Sequence, residues 1–265
     1  MTASRALSPH AILLTVAYEG TAFHGYAAQP GARTVAGELL DAIRKMDPSV
    51  QELRGVSRTD AGVHARGQRV AFDAEKAIAP RGWVLGLTSH LPSDIAVRAA
   101  GAAALGFDPR RHSVAKHYRY TLLTDPCRDP FVEPFAWRLV QGFDLELARE
   151  QACLLVGTHD FAAYRSSADT RTSTVRELRE VSITRPAHDP RCVLIDVHGS
   201  AFLHNMVRII VGTLADLARG RLQPGAFSRA FLSGSRADLG ITAPAQGLCL
   251  QNVQLEPDAA SSWPA

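Results

Sequence analysis

Ser57-Arg58-Thr59-Asp60-Ala61-Gly62-Val63-His64-Ala65 is the stretch around which the rest of this chain organises. It joins a short expected strand over 50–54 to another over 67–73, in which Val70 and Phe72 share a face. Two strands bounding a segment with a glycine predict a strand-to-strand loop. Asp60 sits in that loop with Arg58 two residues before it and Gly62 two residues after. A carboxylate beside a guanidinium on a loop suits binding or catalysis, since such groups concentrate on loops held by rigid strands. Asp and Gly are also ordinary turn formers, so Thr-Asp-Ala-Gly read alone is equally a plain turn.

Upstream, Ala11-Ile12-Leu13-Leu14-Thr15-Val16-Ala17 predicts a buried strand over 11–18, followed by the turn Glu19-Gly20-Thr21-Ala22-Phe23-His24-Gly25. A helix is expected over 34–46: Thr34 is a suitable N-cap, and Val35, Leu39, Ile43 and Met46 mark one face before Pro48 ends it. Downstream, a helix near 80–90 and a strand near 95–101 complete the first half, and 106–114 reads as a crossover. The second half opens on the alternating strand His117-Tyr118-Arg119-Tyr120-Thr121-Leu122, then a Pro-rich loop over 124–135. Asp144 should cap a helix running to Val156, with Gly157 as its stop signal. Strands near 175–184 and 192–198, helices near 202–218 and 224–233, and a strand near 248–254 follow, with a frayed tail over 257–265. This order predicts an α+β protein of two lobes, each a sheet with helices on one face, divided into 1–108 and 109–265.

Composition narrows the function without deciding it. The 265 residues are 46% hydrophobic and 21% charged, enough to bury a proper core. Lys plus Arg (29) exceed Asp plus Glu (26) by three, which permits a nucleic-acid partner without demanding one. Most of the cations are arginines, whose planar fork suits phosphate and base edges. The four cysteines (Cys127, Cys153, Cys192, Cys249) form no C-x-x-C pair, and the ten histidines show no metal-ligand spacing. A disulfide framework or structural zinc site is therefore not expected, and a reducing cytoplasm fits best. The apolar stretch from Phe202 to Leu217 carries His204, Asn205, Arg208 and Asp216, so no membrane span is expected.

Two further features bear on Asp60. Arg208 lies among apolar neighbours on its helix, with His204 one turn earlier on the same face. A buried guanidinium requires an anionic partner or a path to water along its stem. Asp60 and Asp196 are both candidates, and spacing does not choose between them. In the 117–122 strand, Tyr118 and Tyr120 share one face, and His117 and Arg119 the other. A tyrosine flanked by basic residues can stack on a nucleobase, while a Tyr/Tyr pair can equally fill a core.

Taken in order, these segments resemble the TruA family of tRNA pseudouridine synthases along nearly the whole chain. The matching motifs are Tyr18 to Gly25, Arg58 to Ala65, Leu91-Pro92-Ser93-Asp94-Ile95, Phe107 to Arg110, Tyr118-Arg119-Tyr120, Gly157 to Phe161, Ala201 to Arg208 and Gly247 to Leu250. The resemblance implies a pseudouridine synthase-like fold whose lobes flank a basic RNA-binding cleft. It implies Asp60 as the essential carboxylate, Arg208 as its ion-pair partner and Tyr118 stacked on the target base. Arg58 would enter the base stack when the uridine leaves it; His64, Arg66 and Leu248 join Arg58 and Tyr118 as expected substrate-binding residues. The implied substrate is tRNA, at uridines 38, 39 and 40 of the anticodon stem-loop, and the implied assembly is a homodimer with no metal or organic cofactor. Tyr26 and Ala27 stand where the family usually has Trp and Gln, and Ser57 where it usually has Gly. These departures miss the catalytic set and are expected to fall on the RNA-contacting surface.

Two other classes are compatible with the residues themselves. A non-catalytic RNA-binding protein would not need Asp60. A nucleosidase would want a second acid carboxylate close by, which the Asp60 loop does not offer.

Overall fold

The computed structural model describes residues 10–140, 142–257 and 263–264. In chain order the elements are β1 (His10–Tyr18), α1 (Val35–Met46), β2 (Arg54–Gly55), β3 (His64–Ala74), α2 (Pro80–His90), β4 (Ile95–Ala103) and β5 (Ser113–Leu123). They continue with β6 (Trp137–Arg138), α3 (Leu145–Cys153), β7 (Gly157–Asp160), β8 (Val175–Thr184), β9 (Cys192–Gly199), α4 (Met206–Ala218), α5 (Ala226–Ser233) and β10 (Leu248–Leu255). The expected α+β class is therefore observed. The chain packs as two compact units, one formed by residues up to Val114 together with those from Leu250 onward, the other by Ala115–Cys249.

In the first unit the strand order is β4-β1-β3-β10, with β2 on β3. The central strand, β1, is antiparallel to both neighbours, with Leu14 opposite Val70 on β3 and Ala100 on β4. Helices α1 and α2 bury Val35, Leu39 and Ile43, and Trp83, Val84 and Leu87 respectively. Trp83 meets Phe72 of β3 edge to face at 5.0 Å, an arrangement favoured by the ring quadrupoles. Thr34 caps α1 as expected, its side chain accepting from Gly37 N–H. Of the expected 50–54 strand only Arg54 pairs with β3, joined by Gly55 just beyond it. The carbonyls of Val50 and Gln51 instead accept from the Arg44 guanidinium, so they are not offered to a ladder.

In the second unit β5, β9, β8 and β7 lie side by side, and the two-residue β6 pairs parallel to β5. Tyr120 faces Ile195 across the β5–β9 pair, and Ile195 faces Ile183 on β8. Helix α3 takes its N-cap from Asp144, as its sequence predicts, but ends at Cys153. Gly157, at φ +117°, opens β7 rather than stopping the helix. Helix α4 is buried at every position except Arg208. It begins at Met206, four residues later than its apolar run suggests, because Asn205 is left-handed at φ 64° and breaks the helix there. The residues before it are held by a neighbouring loop: Arg171 donates to Phe202 O (2.7 Å) and Ser166 N–H to His204 O (3.0 Å). His204 is therefore in a turn and does not share a helical face with Arg208. In the tail, Trp263 bridges to Ala100, so fraying does not extend to that residue; 258–262 and 265 lie outside the described residues.

Candidate active site

The Asp60 loop is held from two sides by groups of its own unit. On one side Gln68 of β3 closes a paired contact with Ser57, accepting from its N–H (3.1 Å) and donating to its carbonyl (2.6 Å). On the other, the turn after β1 reaches over the loop. Tyr26 N–H donates to Thr59 O (3.1 Å), Gly62 N–H donates to Phe23 O (3.3 Å), and the hydroxyls of Tyr18 and Thr59 meet at 2.7 Å. That closeness explains the glycines. A Cβ on Gly20 would lie 2.1 Å from Val63 O, and one on Gly25, already at φ +93°, would lie 2.8 Å from Thr59 O. Within the loop Val63 N–H closes back onto Asp60 O (3.1 Å). The outcome is a fixed platform on which Thr59 points inward, Asp60 is half-buried, and Arg58 and Ala61 are exposed.

His64 follows the loop directly. It begins β3 and is buried, with Nδ1 accepting from Gly20 N–H at 2.9 Å. The Glu19 carboxylate lies 3.4 Å from the same nitrogen. Its ring braces the turn against the loop, whereas Arg66 on the same strand is exposed. Tyr26 and Ser57 are also buried, at 5% and 3% exposure, so these two departures from the family pattern lie behind the loop rather than on an RNA-facing surface. Both leave a buried hydroxyl without a hydrogen-bond partner among the described residues, and burial raises the Tyr26 phenol pKa far above its ordinary value.

In the second unit, Tyr118 and Tyr120 share a face of β5 as the alternation predicts. Tyr120 is core, fully buried with its hydroxyl donating to Pro244 O (2.7 Å). Tyr118 is at the margin of burial, its ring edge-on to Phe202 at 5.1 Å. Leu248 is buried at the start of β10. On the opposite face of β5, Asp196 accepts from Arg119 (2.8 and 3.1 Å) and meets His117 Nε2. Burial works to raise the Asp196 pKa, but these hydrogen bonds outweigh it and hold the carboxyl below its ordinary range. Asp196, one of the two sequence candidates, is thus engaged by Arg119 and His117.

Arg208 is clamped within its unit. Its Nε donates to Ala243 O and its Nη1 to Asn205 Oδ1, both at 2.8 Å, while its carbonyl accepts from Ala243 N–H at 3.0 Å. Asn205 is the one non-glycine residue with positive φ among the described residues. Asn tolerates that conformation better than most residues, yet it still costs on the order of 1 kcal/mol, and such strain gathers at functional sites. Sequence reasoning passed over Asn205, although an Asn three residues before the one arginine of an apolar helix was a visible signal. It also passed over Gln68, whose part depends on a contact made across the loop.

Lys116, two residues before Tyr118 on the same face of β5, carries the largest perturbation among the lysines. Burial, and then Arg171 and Arg176, push its ammonium pKa from 10.5 down to about 8. Below pH 8 Lys116 is charged in both the folded and unfolded states, so the full cost of holding that charge is felt. Between about 8 and 10.5 the folded state gives up the proton first and the cost fades. Lys116→Met should therefore raise stability at pH 7 by about 1–2 kcal/mol after allowance for solvent screening. Thermal melts of the two proteins should converge as pH rises towards 10; a constant gap would assign the effect to packing.

The profile of a family described as tRNA pseudouridine synthase matches residues 14–110 and 152–255, covering both the Asp60 and Arg208 segments. A tRNA pseudouridine synthase A from Geotalea uraniireducens is 43% identical over 242 residues, 91% of this chain and 98% of that protein. The protein of the same name from Citrifermentans bemidjiense is 42% identical over 244 residues (91% and 96%), and that from Geobacter sulfurreducens 40% over 243 (92% and 98%). With segments of both halves matched in order, and relatives aligned over 91% of its length, this chain belongs to the tRNA pseudouridine synthase family, enzymes that isomerise uridine in tRNA to pseudouridine.

Proposed function

We propose that the uridines isomerised are those at positions 38, 39 and 40 of the tRNA anticodon stem-loop, with Asp60 as the catalytic carboxylate. The observation that carries this reading is the half-buried Asp60 on a doubly braced loop, with the exposed Arg58 beside it. Arg208 is its cationic partner in this proposal, and Tyr118 stacks on the target base. Arg58 and Arg66 contact the RNA, Leu248 lines the uracil pocket, and His64 acts on the RNA through the loop it braces. The enzyme works as a homodimer in the cytoplasm.

The chemistry sets the demands on these residues. The N1–C1′ bond of uridine breaks, the uracil turns, C5 joins C1′, and the C5 proton leaves. A uracil within a stem is out of reach, so it must be flipped from the stack at a cost of a few kcal/mol. Stacking on Tyr118 and insertion of the Arg58 guanidinium into the vacated space offset part of that cost. As N1 departs, positive charge develops at C1′. An ionised Asp60 meets it, by bonding to that carbon or by assisting glycal formation. A carboxylate in a partly dry site stays ionised only if a cation favours it, which is the part given to Arg208. In this reading the Tyr118 phenol takes the C5 proton, directly or through water.

Mapping pseudouridine in tRNA from cells with and without this protein tests the target. Modification at 38, 39 and 40 should vanish without the protein and return with the wild-type chain. Persistence at those positions, with loss elsewhere, would reassign the substrate site.

A further inference from the structure

A cavity of about 430 Å³ in the second unit lies beside the Arg208 clamp and has no part in the chemistry above. Its walls include Arg165, Ser166, Asp169, Asn205, Arg236 and Thr242, drawn from three separate segments. Asn205 belongs to both places: it lines the cavity, and its Oδ1 accepts from Arg208.

The cavity carries uncompensated positive charge. Arg165 donates through Nη1 to Arg171 O (2.8 Å) and has no carboxylate partner among the described residues. Arg236 donates to Leu239 O (3.2 Å) and weakly to Thr242 Oγ1 (3.4 Å), again with no carboxylate partner among the described residues. Burial alone pushes the Arg236 pKa down, with no anion working in the other direction. Asp169, the acidic residue of the wall, is already engaged. One oxygen accepts from Arg171 Nε and N–H, and the other from His204 N–H. Two guanidinium groups without counter-charges, converging on one concavity with the Ser166 and Thr242 hydroxyls, form a donor-rich site for a tetrahedral anion. No aromatic ring is part of the wall, so a base has nothing there to stack on.

We propose that this cavity is a phosphate subsite for the RNA backbone, in which Arg165 and Arg236 grip a phosphodiester next to the nucleotide being isomerised. The placement beside the reacting nucleotide rests on the reading of Arg208 as a catalytic-set residue. The function is positional: holding the strand at this point fixes register without reading sequence.

The test uses Arg165→Met, Arg236→Met and the corresponding Lys variants of the full chain, with tRNA binding measured across a salt series. Each Met variant should weaken binding roughly tenfold, the usual scale for one charge-assisted contact. Each should also lower the slope of log K against log salt by about 0.7–0.9, as expected when one phosphate contact is lost. The single-turnover rate at saturating tRNA should stay within about threefold of wild type, the signature of lost binding rather than lost chemistry. The Lys variants should recover the slope but only part of the affinity, because charge is kept and the fork is lost. Arg236 also supports its own turn, so Arg165→Met, checked for an unchanged melting temperature, is the deciding variant. An unchanged salt slope in that variant overturns the proposal, as does a rate loss that saturating tRNA does not relieve. Titration with inorganic phosphate separates the sources: phosphate binding lost in Arg165→Met, with an unaltered tRNA slope, would assign the cavity to a free anion and overturn the RNA assignment. If the slope falls as expected but Asp60→Asn stays active, the subsite stands and its placement beside the reacting nucleotide fails with the catalytic reading.

Discussion

Asp60→Asn is expected to fold with a near-normal melting temperature and to form no detectable pseudouridine on tRNA. The substitution keeps size and shape and removes the negative charge. The shape of the loop is held largely by other groups: the Gln68 amide on Ser57, Phe23 O on Gly62 N–H, Thr59 O on Tyr26 N–H, and the Tyr18–Thr59 hydroxyl pair. An amide cannot meet the positive charge at C1′, and losing a group of this kind lowers turnover by about 10⁴-fold or more. Tritium release from labelled tRNA reads the effect directly. Turnover within tenfold of wild type would return Asp60 to the status of a turn former.

The second large effect falls on stability. Judged by helix propensity alone, Gly212→Ala in the middle of α4 should help by about 1 kcal/mol. Packing reverses that sign. A Cβ on Gly212 would lie 1.8 Å from Ile241 O and 3.1 Å from Ala243 N, both backbone atoms with no rotamer to yield. The crossing segment is pinned to α4 by Gly240 N–H to Thr213 Oγ1 (3.0 Å), Ile241 N–H to Asp216 Oδ2 (3.1 Å) and Ala243 N–H to Arg208 O (3.0 Å). Making room for a methyl group requires moving that segment and loosening these bonds, at a cost of about 3–5 kcal/mol. For a chain of this size the melting temperature should fall by about 10 °C. Activity should fall as well, because Ala243 O is the acceptor that fixes the Arg208 Nε. An unchanged melting temperature would show that the crossing segment is free to move.

The elements legible in the chain are those decided by near neighbours. Apolar spacing along 35–46 and alternation along 117–122 report directly on α1 and β5, since helix and strand periods repeat within a few residues. Thr34 and Asp144 cap their helices through contacts three residues away, so both were readable. The Asp60 loop was locatable for the same reason, and its expected chemistry came from the order of motifs along the chain. What could not be read depends on partners far away in sequence. The Arg44 guanidinium took the carbonyls that 50–54 would have given to a strand, and the 165–171 loop took those preceding α4. The bracing contact of His64 was likewise hidden, because Gly20, forty-four residues earlier, donates to it. The pattern of residues by itself determined where the carboxylate and the arginines lie along the chain. Only the tertiary structure decided that Asp60 is held half-buried between a turn and a glutamine, and that Arg165 and Arg236 share a cavity with no carboxylate partner among the described residues. Backbone donors and buried charges must find partners wherever the fold brings them, and distance along the chain carries no record of that choice.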